Sequence, residues 1–349
     1  MILPPIGKLY GSVMAARNAL YDWGILKSSP LGARTISVGN LTTGGTGKTP
    51  LTALISEILI DSGEMVCILT RGYGRANPRE RVLVSDGRAI LADASEGGDE
   101  PAELAARLGG RAIIVADADR LAAGRWALEK FGVTAFVLDD GFQHRRVKRD
   151  LDIVCIDATD PCGGGRVLPA GRLRESFDGL KRADAMVMTR SDLVDDVSAI
   201  EKRLRSRNDS APIFRAATRI SELISLVEFH AKAQRTQRVD RIAELVNANC
   251  GVFCAVGNPE AFFRTAERYL GDEGRFVFRK AFADHHPYTQ ADVDEIVRHA
   301  KDSGAEVLIT TAKDAVKLGS LNFVLPCFVV EAETAIDDVN SFERLIVGP

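Results

Sequence analysis

The run Val38-Gly-Asn-Leu-Thr-Thr-Gly-Gly-Thr-Gly-Lys-Thr-Pro50 has the residue types of a loop that wraps an anion. Gly44, Gly45 and Gly47 let the backbone turn its N–H groups inward, where side chains would collide with phosphate oxygens. Lys48 is placed to bridge β- and γ-phosphates, and the Thr49 hydroxyl to ligate Mg²⁺. A helix opening at this point would add the positive end of its dipole. The cradle predicted from this spacing is Thr42, Thr43, Gly44, Gly45, Thr46, Gly47, Lys48 and Thr49, with ATP and Mg²⁺ as its ligands. Thr42 stands where the usual pattern has glycine.

Downstream, Phe136-Val-Leu-Asp-Asp-Gly141 is an apolar run ending in two acids. Adjacent carboxylates repel, so Asp139 and Asp140 call for a cation, and a strand end of this kind delivers a carboxylate to the Mg²⁺ shell. Gly97-Gly-Asp-Glu-Pro101 sets Asp99 and Glu100 at the start of a predicted helix over 102–108. A carboxylate there either caps the helix or takes a proton from an attacking hydroxyl. Ala283-Asp-His-His-Pro287 holds two of the five histidines, either as exposed loop residues or as partners of a catalytic carboxylate. Thr70-Arg-Gly-Tyr-Gly-Arg75 and Leu168-Pro-Ala-Gly-Arg-Leu-Arg-Glu175 carry arginines suited to phosphate or headgroup oxygens.

These groups need a scaffold that brings strand ends together. Apolar runs at 35–38, 65–69, 111–116, 134–138, 151–156 and 185–188 alternate with helical stretches, including one over 48–60. That alternation predicts an α/β protein with a parallel sheet covered on both faces, a P-loop NTPase-like α/β/α sandwich. A strand at 212–216 and a polar loop at 232–241 mark a change. A second, smaller α/β series follows, with strands at 251–256, 275–278 and 306–309 and helices at 259–269 and 290–303. The expected division is a helix over 1–28, a core domain over 29–212, a linker over 213–230, a smaller domain over 231–325, and a return strand and tail over 326–349.

The 349 residues suit two domains, and 46% apolar with 27% charged residues is the mix of a globular protein. A net charge of −3 gives no basic field for nucleic acid. The six cysteines lack metal-ligand spacing and read as free thiols of a reducing cytoplasm. No apolar run is long enough to span a bilayer. The N-terminus instead places Ile6, Leu9, Tyr10, Val13, Met14, Leu20 and Tyr21 at helical period, flanked by Lys8, Arg17, Trp23 and Lys27. This helix either lies in a membrane surface or covers its own domain. Arg17, inside the stripe, is expected to meet a lipid phosphate or a buried carboxylate.

Taken in order, the loop through Pro50, Arg71-Gly-Tyr-Gly74, Gly98-Asp-Glu-Pro101, Leu138-Asp-Asp-Gly-Phe-Gln-His144 and Pro169-Ala-Gly-Arg-Leu-Arg-Glu175 resemble the tetraacyldisaccharide 4′-kinases of lipid A biosynthesis. Gly257-Asn-Pro-Glu260, Ala283-Asp-His285 and Thr311-Ala-Lys-Asp-Ala-Val-Lys317 extend the match. Ala312 departs from an expected glutamate, and Ala255-Val256 from Gly-Ile. The resemblance implies a monotopic enzyme on the cytoplasmic face of the bacterial inner membrane. It would phosphorylate the 4′-hydroxyl of a glycolipid, tetraacyldisaccharide 1-phosphate, to give lipid IVA, with no obligate protein partner. Two α/β/α domains joined by a short β linker would close around ATP. Carried over, Asp99 is the base and His285 its partner from the second domain. Lys48 acts on the phosphates, and Thr49, Asp139 and Asp140 form the metal end. Arg71, Glu100, His144, Arg172 and Glu175 line the substrate site.

Three other readings remain compatible with the residues. One is a membrane-acting ATPase of the MinD or ParA kind, which expects lysine where Thr43 stands. Another is a soluble small-molecule kinase or ATP-dependent synthetase. The third is a nucleotide-gated scaffold without catalysis.

Overall fold

The computed structural model describes residues 3–230, 248–270 and 275–348. The loop read at 232–241 lies outside them. The strands are β1 (Arg34–Asn40), β2 (Val66–Thr70), β3 (Val82–Asp86), β4 (Ile113–Ala116), β5 (Ala135–Asp139) and β6 (Leu151–Asp157). Then come β7 (Ala185–Thr189), β8 (Ile213–Ser225), β9 (Asn249–Cys254), β10 (Arg275–Ala281), β11 (Val307–Thr311) and β12 (Cys327–Ile336). The helices are α1 (Leu3–Asp22), α2 (Lys48–Asp61), α3 (Ala94–Gly97), α4 (Asp99–Arg107), α5 (Arg120–Phe131) and α6 (Ser198–Arg205). They continue as α7 (Leu226–His230), α8 (Pro259–Leu270), α9 (Gln290–Asp302), α10 (Ala312–Ala315) and α11 (Val339–Val347).

Alternating side-chain direction along each strand sets the layers. In β5, Val137 packs with Leu51, Ile55 and Leu59 of α2 on one face. Phe136 and Leu138 pack with Leu121 and Ala127 of α5 on the other. Among the described residues the strands form one sheet in the order β10-β9-β11-β12-β8-β7-β6-β1-β5-β2-β4-β3. The half from β7 to β4 is parallel, and β3 closes its edge antiparallel to β4. Register puts Val38 of β1 beside Asp139 of β5, so the glycine loop and the acid pair leave the sheet side by side. Carboxyl ends of neighbouring parallel strands are where such sheets bind ligands.

The second half, β10-β9-β11-β12, is also parallel. Its core takes Phe253, Val293, Ile296 and Leu308 on one face and Val252, Phe263 and Ile309 on the other. The two halves meet at β8, which starts parallel to β7 and then runs antiparallel to β12 from Ala216↔Ile336 to Ser225↔Phe328. Sequence reading places only 212–216 in a strand and gives 213–230 to a linker, although the polar–apolar alternation through Ser225 is itself the signal of a half-buried strand. The tail also has a role that composition did not announce. Phe342 and Ile346 of α11 are fully buried in the core of the first half, each worth about 1.5–3 kcal/mol of apolar burial. Strand β3 is only five residues long and flanked by charged residues, so no long apolar run marks it in the sequence.

Helix α1 splits the stripe read from its sequence. Ile6, Leu9 and Val13 are exposed, while Met14 and Tyr21 are half-buried. The packed side is made by small residues, with Gly7 against Val167 and Ala170 and Gly11 against Val167. Arg17 pairs with no carboxylate among the described residues. It donates to the Gln143 carbonyl at 3.2 Å and lies over the Tyr21 ring at 5.2 Å.

Candidate active site

The glycine loop is a turn that only its own residues permit. Gly47 sits at φ 80° immediately before α2, a conformation L side chains rarely adopt, and this turn aims the first turn of the helix into a cleft. Thr46 is braced twice, its hydroxyl by Asn40 Nδ2 at 2.8 Å and its carbonyl by the Thr189 hydroxyl at 2.8 Å. Gly44 to Pro50 line the cleft, a cavity of about 260 Å³ between the two halves. Thr42 and Thr43 stand beside it. Thr42 forms an antiparallel bridge with Leu173, and the Thr43 amide donates to the Arg172 carbonyl at 2.7 Å. Both are held by the 163–173 loop, which explains why glycine is dispensable at 42.

The acid pair separates into two environments. Asp139 is buried and accepts from Thr52 Oγ1 at 3.2 Å and Thr70 Oγ1 at 3.4 Å. Burial, then Glu100 and Asp140, push its carboxyl up to about 7. Burial would also raise Asp140, but Lys48 at 3.7 Å and Arg174 at 2.6 Å outweigh it and hold that carboxyl below the usual range. Asp140 lines the cleft with backbone φ 49°, and its buried Oδ1 has no hydrogen-bond partner. Asp140 Oδ1, which has Lys48 Nζ at 3.7 Å but no hydrogen bond, lines the same cleft as Thr49 and fits a divalent cation. Among the described residues no three His, Cys, Asp or Glu side chains are clustered for a metal. A cation here would complete its shell with phosphate oxygens and water, as Mg²⁺ does.

At the start of α4, Asp99 does not cap the helix. The N-cap of α4 is Gly98, and no side chain caps that end. The Asp99 carboxylate instead bonds His285 Nδ1 at 3.0 Å through Oδ2. Lys313 Nζ lies 3.4 Å from His285 Nε2. An ammonium only donates, so Nε2 presents its lone pair and the ring proton falls on Nδ1, toward Asp99. His285 is held at φ 62°, with the Tyr73 ring centroid 5.0 Å away. Strained backbone of this kind persists where surroundings over-determine it. Asp284 and Lys313 pair at 2.8 Å on the same rim.

The other expected site residues scatter. Glu100 lines the cleft. Arg172 borders the glycine loop and pairs with Asp160. Arg71 is exposed at the end of β2, and neither it nor His144 lines the main cleft. Burial, then Arg120, lower His144 to about 4, which keeps its ring neutral. Glu175 is not in the cleft but under α1, where Asn18, Gln143 and Arg182 saturate it at 2.7–3.0 Å. A carboxylate with three donors is an anchor for the helix.

Several residues in or next to the cleft carry no signal of their placement in the sequence. Arg174 and Lys313 lie inside motifs already noted, but nothing in spacing aimed them at Asp140 or His285. Arg120 carries no local signal, yet it is buried and donates to the Asp139 carbonyl at 3.2 Å. Gly257 approaches the Gly45 amide so closely that a Cβ would collide, so the Gly257-Asn-Pro-Glu260 turn presses backbone to backbone on the phosphate loop.

Comparison with known proteins decides the family. The sequence model of the tetraacyldisaccharide-1-P 4′-kinases matches residues 1–348. The chain belongs to this family. A tetraacyldisaccharide 4′-kinase of Halothermothrix orenii is 38% identical over 323 residues, covering 90% of this chain and 82% of its own. One from Desulfotalea psychrophila is 37% identical over 348 residues, covering 98% and 94%. LpxK from Aquifex aeolicus, crystallised in complex with ATP, superposes with TM-score 0.75 at 30% identity, covering 98% of this chain and 96% of that one. Membership makes the chain an ATP-dependent kinase of lipid A biosynthesis. The MinD or ParA alternative finds no support. Its lysine position is Thr43, outside the main cleft.

Proposed function

We propose that the cleft transfers the γ-phosphoryl group of ATP to the 4′-hydroxyl of tetraacyldisaccharide 1-phosphate with the two halves of the molecule in separate roles. The first half grips the triphosphate through the 44–49 backbone and Lys48. Thr49, Asp139 and Asp140 would hold Mg²⁺, which would offset charge on the β- and γ-oxygens. The second half supplies His285 to steady Asp99. Asp99 takes the hydroxyl proton as the acceptor oxygen bonds to phosphorus and the bond to the β–γ bridging oxygen breaks, leaving ADP. An ordinary aspartate is a weak base toward an alcohol. It becomes effective late in transfer, when the hydroxyl has acidified. The observation that supports this reading is the 3.0 Å contact between Asp99 of the first half and His285 of the second, with His285 lining the cleft that holds the glycine loop. The direct test incubates the protein with γ-labelled ATP and the disaccharide 1-phosphate in detergent. Label should appear in the lipid, and label released only as inorganic phosphate would refute the acceptor assignment.

We infer further that α1 docks on the cytoplasmic face of the bacterial inner membrane. No described helix is long and apolar enough to cross a membrane. Ile6, Leu9, Val13, Trp23 and Ile25 nonetheless stand exposed along α1 and the turn after it. Each apolar side chain transferred from water contributes about 1.5–3 kcal/mol, enough together for peripheral attachment. The double substitution Leu9→Asp with Val13→Asp should cut vesicle binding at least ~10-fold. ATP affinity should stay unchanged, because neither residue lines the cleft. Undiminished vesicle sedimentation would mean that this face does not touch lipid.

A further inference from the structure

The proposed base is held from behind by a lysine that the phosphate site does not use. Lys317, two residues beyond α10, places Nζ 3.6 Å from Asp99 Oδ2. The same Nζ lies 3.3 Å from Asp314 Oδ1, donates to the His286 carbonyl at 3.2 Å and sits 5.2 Å from the centroid of the Tyr288 ring. Its side chain is only 9% exposed, and it is absent from the cleft lining. Asp314 cannot drift, since its Oδ2 accepts from the Ala255 amide at 3.0 Å and the Thr311 hydroxyl at 2.7 Å. The ammonium is therefore pinned to β9 and β11 while it reaches across to α4. Both His285 and Lys317 engage the same carboxylate oxygen of Asp99, which leaves Oδ1 for an acceptor.

We propose that Lys317 is a positioning residue for phosphoryl transfer, fixing the Asp99 carboxylate through Oδ2 so that Oδ1 meets the acceptor hydroxyl only when the second half is docked. This rests on Asp99 being the base. Lys313 touches the dyad too, but it lines the nucleotide cleft, so its loss would mix two effects. Lys317 isolates the acceptor side.

A double-mutant cycle on the full-length protein separates positioning from general support. Lys317→Met should lower kcat about tenfold or more with the Kd for ATP unchanged, and Lys317→Arg should recover most of that loss. In an Asp99→Asn background, Lys317→Met should cost less than about twofold, because there is no carboxylate left to place. An equal loss in both backgrounds would overturn the inference while leaving Asp99 as the base. Full turnover of Asp99→Asn would remove the base reading itself. Because Lys317 also balances buried Asp314, the pair Lys317→Met with Asp314→Asn guards against a folding defect. That pair should keep the kcat loss, and a return to wild-type turnover would show that Lys317 serves only to neutralise Asp314.

Discussion

Asp99→Asn is expected to reduce transfer of label from ATP to the disaccharide acceptor by about 10²–10⁴-fold, with ATP affinity held within about twofold. The amide keeps the size of the side chain and can still accept from His285 Nδ1, so the 3.0 Å contact and the start of α4 survive. What disappears is the capacity to take a proton. Asp99 is not part of the loop that grips the triphosphate, which is why binding and turnover should part company. His285→Ala should lose at least about a hundredfold by the same route, since among the described residues of the second half His285 and Lys317 are the ones that pair with Asp99. Near-normal label transfer by either variant would exclude that residue from the reaction.

Lys48→Ala is expected to lower kcat/KM by about 10³-fold, with a measurable loss of nucleotide affinity as well. Lys48 is buried at the mouth of α2 and has Asp140 at 3.7 Å, so its charge is already organised before any triphosphate arrives. Its removal should not unfold the site, because Arg174 still pairs with Asp140 at 2.6 Å. The loss would fall on charge that builds up on the β- and γ-oxygens during transfer, where a preorganised donor in a water-poor cleft acts most strongly. Turnover and equilibrium nucleotide binding measured on the same preparation test this. A Lys48→Ala protein that labels the lipid at full speed would refute the phosphate cradle.

The two variants probe parts of the site that differ in how they are encoded. The cradle is local: strand, turn and helix are consecutive, so Gly47, Lys48 and Thr49 are placed by their immediate neighbours. The end of β5 is legible for the same reason, an apolar run that stops at Asp139 and Asp140. Most strands and helices of both halves could be read from periodicity, since alternating sheet and helix surfaces leave a strong pattern. The resemblance to a known family supplied the pairing of Asp99 with His285, which spacing alone left open between capping, an exposed loop and catalysis.

Other features were set by distant partners. The length of β8 depends on β12, which pairs with it from more than a hundred residues away. Burial of α11 depends on a core built by α2 and β1. Glu175 reads like a site residue and serves as an anchor, because α1 brings Asn18 to it from the far end of the chain. Arg120, Arg174, Lys313 and Lys317 are ordinary cations until the fold points them at Asp139, Asp140, His285 and Asp99.

Residue types and spacing by themselves marked the ATP loop and the strand–helix alternation of an α/β fold, because those features are set by groups within one turn or one strand of each other. Only the tertiary structure decided how Asp99 is held. Asp99 and His285 are 186 residues apart, and their contact exists because β8 and β12 pair to bring one half over the other. That pairing is fixed by buried surfaces distant in sequence, and no local pattern records which distant surface a strand will meet.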